Sequence, residues 1–455
     1  MYLLQIIACF VYAIVMICAI KNFKRTIIAW GPLSLLFNPQ VCVTYAPAIA
    51  LTVAVNISLV GLYIVFQRKA HDNKRFNNEK FLLKSFMAFM LVSILISSLF
   101  SVVPFTASFK VLIKSTIMEF GMIYIFFRCV STYDDIRLYI KTCIFVSLII
   151  IINGLIENFT SINPVGDFIY YTSPHTDDMF GRSFYVPGME KLRYGLKRCY
   201  SVFNLHITFG ITCTILFFIL FIYYRIKRPI FKQKTKAKNY LIIICLCLLP
   251  IGVILSNSKT PMLGFMILLL AFYRLSQLFN FKLMFPLIIG CVLIVIYVPD
   301  YINNFLSLFD DDLAEEGGGS TVALREDQLS YIVKLFEQSP IWGNGMNAAA
   351  YYSENVYEYA GILGAESKWF KLLAEQGILG ILAYLYMYIC CYRFGDKIIP
   401  RRVLLFFLFS ILVMETVTGG VNNLLWLPVF IVLKQLYQLR NNYVKELSNT
   451  KLLAT

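Results

Sequence analysis

Along the chain, apolar runs of about 17–25 residues alternate with short polar connections. A hydrocarbon core about 30 Å thick asks for roughly 20 apolar residues per crossing helix. Runs of that kind fall near 2–20, 26–42, 46–66, 81–103, 109–130, 138–156, 200–224, 240–256, 259–274, 279–298, 369–390, 403–418 and 421–437, which predicts 13 membrane spans. The second contains Gly31, Pro32, Asn38 and Pro39. It reads as a full crossing, a re-entrant segment or half of a tight helical hairpin. The first has no basic n-region and is followed by Lys21, Lys24 and Arg25, the pattern of a retained span and not of a cleaved signal peptide.

Charge orients these spans. Residues 225–238 carry seven Lys/Arg and no acid, residues 67–80 five against two, and residues 391–402 four against one. By the positive-inside rule these connections are cytoplasmic. Alternation then puts residues 157–198 and 299–368 on the opposite side, and the second of them holds 12 of the 26 acidic residues against three basic ones. The C-terminus falls inside and the N-terminus outside, provided the second run is a full crossing. Composition agrees: 59% hydrophobic and 15% charged residues, with a mean hydropathy of +0.70, are far from a soluble domain. The net charge of +15 is spread over connections between apolar runs, so it is no nucleic-acid footprint and no nucleic-acid partner is expected. The 12 cysteines sit mostly inside apolar runs, and His71, His175 and His206 lack metal-ligand spacing. Neither a disulfide framework, a metal nor a cofactor is therefore expected.

Two outward loops of about 40 and 70 residues are the first place to look for chemistry. In the larger, Ser320 or Thr321 can cap a helix with Glu326 and Asp327 in its first turn, and Leu324, Ile332, Leu335 and Phe336 recur on one face. Ser339-Pro340 stops this helix and Trp342-Gly343-Asn344-Gly345 makes a turn; the acidic and glycine-rich stretch around 310–319 reads as a solvated connector. Arg325 stands at the helix start, against the dipole, either as part of a site or as a solvated partner of nearby acids. The smaller loop ends in Lys191, Arg193, Lys197 and Arg198 on the side where cations are scarce. Such a cluster suits phosphate, through the guanidinium fork, or lipid headgroups. Lys259, in the polar hairpin Ser256-Asn257-Ser258-Lys259-Thr260-Pro261, either faces the same aqueous pocket or snorkels. His206 is a substrate contact or an interhelical hydrogen-bonder. Tyr351 and Tyr352, with Tyr357 and Tyr359, make a sugar-stacking platform or an interfacial belt.

Several of these segments, in order, resemble the O-antigen polymerase and O-antigen ligase superfamily of bacterial envelope enzymes. The most specific is Glu366-Ser367, nine residues, then Gly377-Ile378-Leu379-Gly380, similar to a ligase motif in which histidine stands where this chain has Glu366. Leu324-Arg325 followed by Ser339-Pro340-Ile341-Trp342-Gly343-Asn344-Gly345 resembles the family's arginine helix and its Pro-x-x-Gly-x-Gly turn. Arg198-Cys199-Tyr200-Ser201-Val202-Phe203-Asn204 resembles the stretch that opens a middle span, and Ser256-Asn257-Ser258-Lys259 a Ser-Arg hairpin with lysine for arginine. The resemblance covers roughly residues 190–390, and the N-terminal third contributes span number alone.

The resemblance implies an all-α, GT-C-like polytopic fold in the bacterial inner membrane, with its active site on the extracytoplasmic face. It implies a metal-independent glycosyltransferase that takes a glycan from undecaprenyl diphosphate, with membrane lipid, a chain-length regulator and a flippase as companions. Arg198 and Arg325 would stabilise the departing diphosphate and Glu366 would serve as base, with Lys259, Arg193, Lys197, His206, Tyr351 and Tyr352 binding substrate. Glutamate in place of histidine favours a repeat-unit polymerase, acting on O-antigen or capsule glycans, over a ligase that transfers to lipid A core. A lipid-linked oligosaccharide flippase is the reading of a different class; the chain shows no internal repeat of the transporter kind.

Overall fold

The computed structural model describes residues 3–45, 48–69, 83–104, 108–109, 112–173, 186–187, 192–193, 195–230, 236–272, 306–307, 322–362, 367–395, 398–418 and 421–452. Its helices are α1 (Leu3–Leu33), α2 (Leu51–Lys69), α3 (Lys84–Leu99), α4 (Met122–Cys129, preceded by a π-helical stretch Lys114–Gly121), α5 (Tyr133–Thr160), α6 (Pro164–Thr172) and α7 (His206–Ile230). They continue as α8 (Lys236–Leu255), α9 (Lys259–Phe272), α10 (Val322–Gln338), α11 (Ala348–Asn355), α12 (Lys368–Gly395), α13 (Arg401–Val417) and α14 (Asn423–Leu452). Two short hairpins pair β1 (Cys42–Tyr45) with β2 (Ala48–Ala50) and β3 (Leu192–Arg193) with β4 (Leu196–Lys197). The chain is thus an all-α polytopic membrane protein, as its hydropathy predicts. Its outer surface is apolar: Leu3, Ile6, Phe10, Ile14, Ile17 and Ile20 of α1 all face outward, the arrangement expected where the solvent is lipid. The expected span 279–298 lies outside the described residues.

Four described helices are long and apolar enough to cross a membrane, and α1 shows how the second expected span is used. Asn22 has non-helical backbone angles, and its side chain accepts from the Arg25 N–H, capping the second half of the helix. Tyr12 Oη meets Ser58 Oγ at 2.7 Å and Trp30 Nε1 donates to Asn56 Oδ1 at 2.8 Å. Two residues 18 apart in sequence therefore reach positions two apart on α2, so the chain bends back at Asn22. Pro32 then ends the helix, a 3₁₀ turn at Ser34–Leu36 follows, and an irregular stretch leads into the β1–β2 hairpin, which begins at Cys42. The second run is half of a tight helical hairpin.

Contacts sort the connections onto two ends, as the charges require. At one end Lys24 pairs with Asp135 at 2.7 Å, Tyr133 meets Tyr223, and Arg402 donates to the Leu270 carbonyl. At the other, Cys199 donates to the Leu255 carbonyl, Val102 to Asn344 and Lys368 to Thr418. This second end, opposite the lysine-rich connections, gathers every motif segment that the structure describes.

What holds that end together is a break in α12. Gly377 adopts φ 59°, ψ −151°, a conformation glycine tolerates and side chains resist, and the two backbone donors after it, Ile378 and Leu379, bond to the carbonyls of Pro340 and Ile341. The turn in exchange donates Asn344 N–H to the Ala374 carbonyl and Gly345 N–H to that of Glu375. A Cβ on Gly343 would stand 2.3 Å from the Glu375 carbonyl carbon, so contact is backbone to backbone. A row of serines from the N-terminal third closes the joint. Ser93 Oγ donates to Gln376 Oε1 at 3.0 Å, Ser97 Oγ to the Glu375 carbonyl at 2.5 Å, and Ser108 Oγ to that of Met346 at 3.2 Å. Phe100 stacks on Trp342 with centroids 4.7 Å apart. The N-terminal third therefore contributes more than span number: it braces the motif turn.

Replacing Gly343 by alanine puts a methyl group into backbone at a positive φ and is expected to cost about 2–4 kcal/mol. Gly31→Ala, with no atom within 4 Å of the added carbon, is the control and should not destabilise. Thermal melts of the detergent-purified variants decide this; equal midpoints for Gly343→Ala and the parent would refute the interlock.

Candidate active site

The cations of the smaller loop are placed by two devices. The first is the β3–β4 hairpin, turned at Gly195 (φ 72°), which lays Arg193 opposite Leu196 and docks on the tip between α8 and α9. Asn257, itself left-handed at φ 41°, donates through Nδ2 to the carbonyls of Leu196 (3.1 Å) and Arg193 (3.5 Å). The second is Glu157. Only 2% exposed, its Oε2 accepts from the N–H groups of Tyr200 (2.9 Å) and Ser201 (2.7 Å) and from Asn163 Nδ2 (3.0 Å). These bonds pin the end of α5 to the loop that carries Arg198. Burial pushes the Tyr200 hydroxyl up to about 12, so it stays a neutral donor at physiological pH. The Cys199 thiol is pushed up to about 12 for the same reason, which leaves little thiolate.

Lys259 opens α9 beneath this hairpin. It is 9% exposed, and its Nζ is buried with no hydrogen-bond partner among the described residues. The ammonium is enclosed, not snorkelling. Among the described residues, the charges that act on it are those of Arg193 and Arg198, both positive. Arg193 is 6% exposed. Like charges held close in low dielectric repel one another, and a negative group beside them relieves that cost. His206 is on the same corner. It begins α7, edge-on to the Tyr200 ring at 5.5 Å, one turn before Gly210, whose missing Cβ admits Ser256 and Pro261.

Arg325 arrives from the larger loop. Its Nη2 donates to the Val417 carbonyl at 3.2 Å, on the last residue of α13, and its Nη1 to Gln328 Oε1 at 3.0 Å. The carbonyl end of a helix attracts a cation, which offsets the misfit of arginine at the start of α10. α13 runs along α9, with Arg402 on Leu270 and Ser410 Oγ on the Gly264 carbonyl, and this register carries Val417 to the level of Lys259. The two outward loops thus meet at the top of the α9–α13 pair.

Glu366 lies outside the described residues. Its neighbour Ser367 is buried at the start of α12, where Lys368 N–H bonds to the Thr418 carbonyl. Tyr352 packs against Tyr359 at 5.2 Å beside the small apolar cluster of Ile332, Leu335, Ala349, Ile362 and Ala374, and Tyr351 meets Tyr352 edge-on. These ring contacts stiffen the α10–α11 layer. Leu335 and Ile332 bury the face expected for α10, while Ser320 and Thr321 lie outside the described residues. Lys197 is half-buried on β4. The residues not anticipated are Glu157, Gln328 and the serine row. Ser93 and Ser97 had a signal in their four-residue spacing and Gln328 in standing three after Arg325, but neither marks a partner.

The fold and this corner define a multi-pass helical membrane protein with an enclosed cationic site at the end opposite its lysine-rich connections. Residues 240–385 match the family model described as O-antigen ligase, a glycosyltransferase-like family. The match covers about a third of the chain, includes Lys259, Arg325 and the Gly343/Gly377 interlock, and supports assignment to the O-antigen polymerase and ligase superfamily. No curated protein matches the chain.

Glu157→Ala removes the acceptor of three hydrogen bonds and is expected to release the 198–201 loop. Alkylation of Cys199, followed by peptide mass mapping, should be slow in the parent and at least about tenfold faster in the variant, a loss of roughly 1–3 kcal/mol in local closure. Unchanged labelling would show that Glu157 does not hold the loop.

Proposed function

We propose that this protein is a glycosyltransferase that polymerises lipid-linked repeat units on the outer side of the cytoplasmic membrane. It transfers the growing glycan from a polyprenyl diphosphate to a sugar hydroxyl on another lipid-linked unit. The observation that carries the reading is the enclosed ammonium of Lys259, within the field of Arg193 and Arg198, with Arg325 anchored at the neighbouring helix end. A diphosphate leaving group develops negative charge as the glycosidic bond breaks, and preorganised cations in a dry corner stabilise it. Its hydrocarbon tail has lipid-facing helices around it. The acceptor hydroxyl loses its proton as the new bond forms, and Glu366, where the ligase motif has histidine, is the base in this reading.

The description of the matched family favours a second reading, ligation to lipid A core. Glutamate at 366 speaks for the polymerase. A flippase would carry the same outward cations but no requirement for a base. Purified protein supplied with a lipid-linked repeat unit separates the three. An even-stepped ladder supports polymerisation, and transfer to lipid A core alone supports ligation. Transbilayer movement without glycosyl transfer overturns both.

Arg198→Ala and Lys259→Met are each expected to slow ladder formation by about 100-fold or more, since each removes charge where it develops. Glu366→Gln should reduce the rate comparably while leaving donor binding intact; a parental rate would remove Glu366 from the base role.

A further inference from the structure

Beside Arg325, one buried side chain has its amide donor unused. Gln328 is fully buried, on the same face of α10 one turn after Arg325. Its Oε1 accepts from Arg325 Nη1 at 3.0 Å. Its Nε2 is buried and meets no acceptor among the described residues. Leaving an amide donor desolvated without a partner costs as much as a hydrogen bond earns, so a residue that only steadied Arg325 would be expected to turn this group toward a carbonyl or solvent. The surroundings explain the direction. Arg325 reaches the Val417 carbonyl, Lys368 N–H takes the adjacent Thr418 carbonyl, and at the same corner Ser367 Oγ and Lys259 Nζ are also buried donors without a described partner. Among the described residues, buried donors without a partner collect at this corner, which is the complement of a ligand made of oxygens.

We propose that Gln328 is a substrate-binding residue with two faces: Oε1 fixes the fork of Arg325, and Nε2 donates to an oxygen of the diphosphate that Arg325 holds. This rests on the reading of the site as one for a lipid diphosphate. The two roles are separable because a residue acting only through Arg325 has nothing to contribute once Arg325 is gone.

The test is a double-mutant cycle on the full-length protein in nanodiscs, with binding of farnesyl diphosphate measured by calorimetry. Gln328→Met, close in volume, is expected to weaken binding about tenfold, and the same change in an Arg325→Met background to weaken it further by about fivefold. Gln328→Glu, which keeps the acceptor for Arg325 and abolishes the donor, should also bind at least about tenfold more weakly. No further loss in the Arg325→Met background, or parental affinity in Gln328→Glu, overturns the direct contact and leaves Gln328 as a support for Arg325. Absence of binding to the parent protein overturns the diphosphate reading itself, and this assignment with it. Size-exclusion profiles and melts identical to the parent qualify each variant for comparison.

Discussion

The outward half of this protein depends on one backbone contact, the seating of the Pro340–Gly345 turn in the gap that α12 opens at Gly377. A transmembrane helix has no spare backbone donors or acceptors, since every one lost to a break must be satisfied by another element. Here the break frees the donors of Ile378 and Leu379 and the carbonyls of Ala374 and Glu375, and the turn meets all four. Glycine at 343 and 377 is needed because the two backbones approach more closely than any Cβ allows. The spacing of the motif glycines is thus the record of a docking geometry. By fixing the turn, the joint fixes the C-terminal end of α10, and α10 carries Arg325 back to the α9–α13 pair.

The cationic corner is built on the other side by different means. Glu157 gives a buried carboxylate to the 200–201 backbone, and Asn257 clamps the β3–β4 hairpin from below. Neither residue touches the other loop. The site therefore has two halves, each held by contacts of its own and brought to one end by packed helices. Such a construction places charges of one sign together without letting them relax apart. A surface cluster of flexible lysines would bind headgroups, whereas Lys259 and Arg193 are nearly sealed from solvent.

The sequence by itself determined the class of fold and its two-sidedness. Span length follows from bilayer thickness, and sidedness from lysine and arginine counts on connections, both of which are properties of the linear chain. It also determined the turn at 339–345, the apolar face of α10, and the choice of Arg193, Arg198, Lys259 and Arg325 as cations out of place. What it left open was conformation where two readings had the same composition. The second apolar run held glycine and prolines enough for several outcomes, and only the Tyr12–Ser58 and Trp30–Asn56 contacts decide for a hairpin.

Tertiary structure alone decided the rest, because it depends on partners far away in sequence. Whether Lys259 snorkels or is enclosed depends on a hairpin far earlier in the chain that covers it, held by Asn257 across separations of 61 and 64 residues. The N-terminal third looked like bare membrane anchorage because serines in an apolar helix carry no sign of what they meet. Their partners lie 278 and 283 residues away. Tyr351 and Tyr352 read from composition as a sugar platform or an interfacial belt, since aromatic rings pack as readily as they bind; the structure sets Tyr352 against the cluster around Ile332, with Tyr351 edge-on to it. Local chemistry fixed which residues are unusual; only the pairing of distant segments fixed which of them share a site.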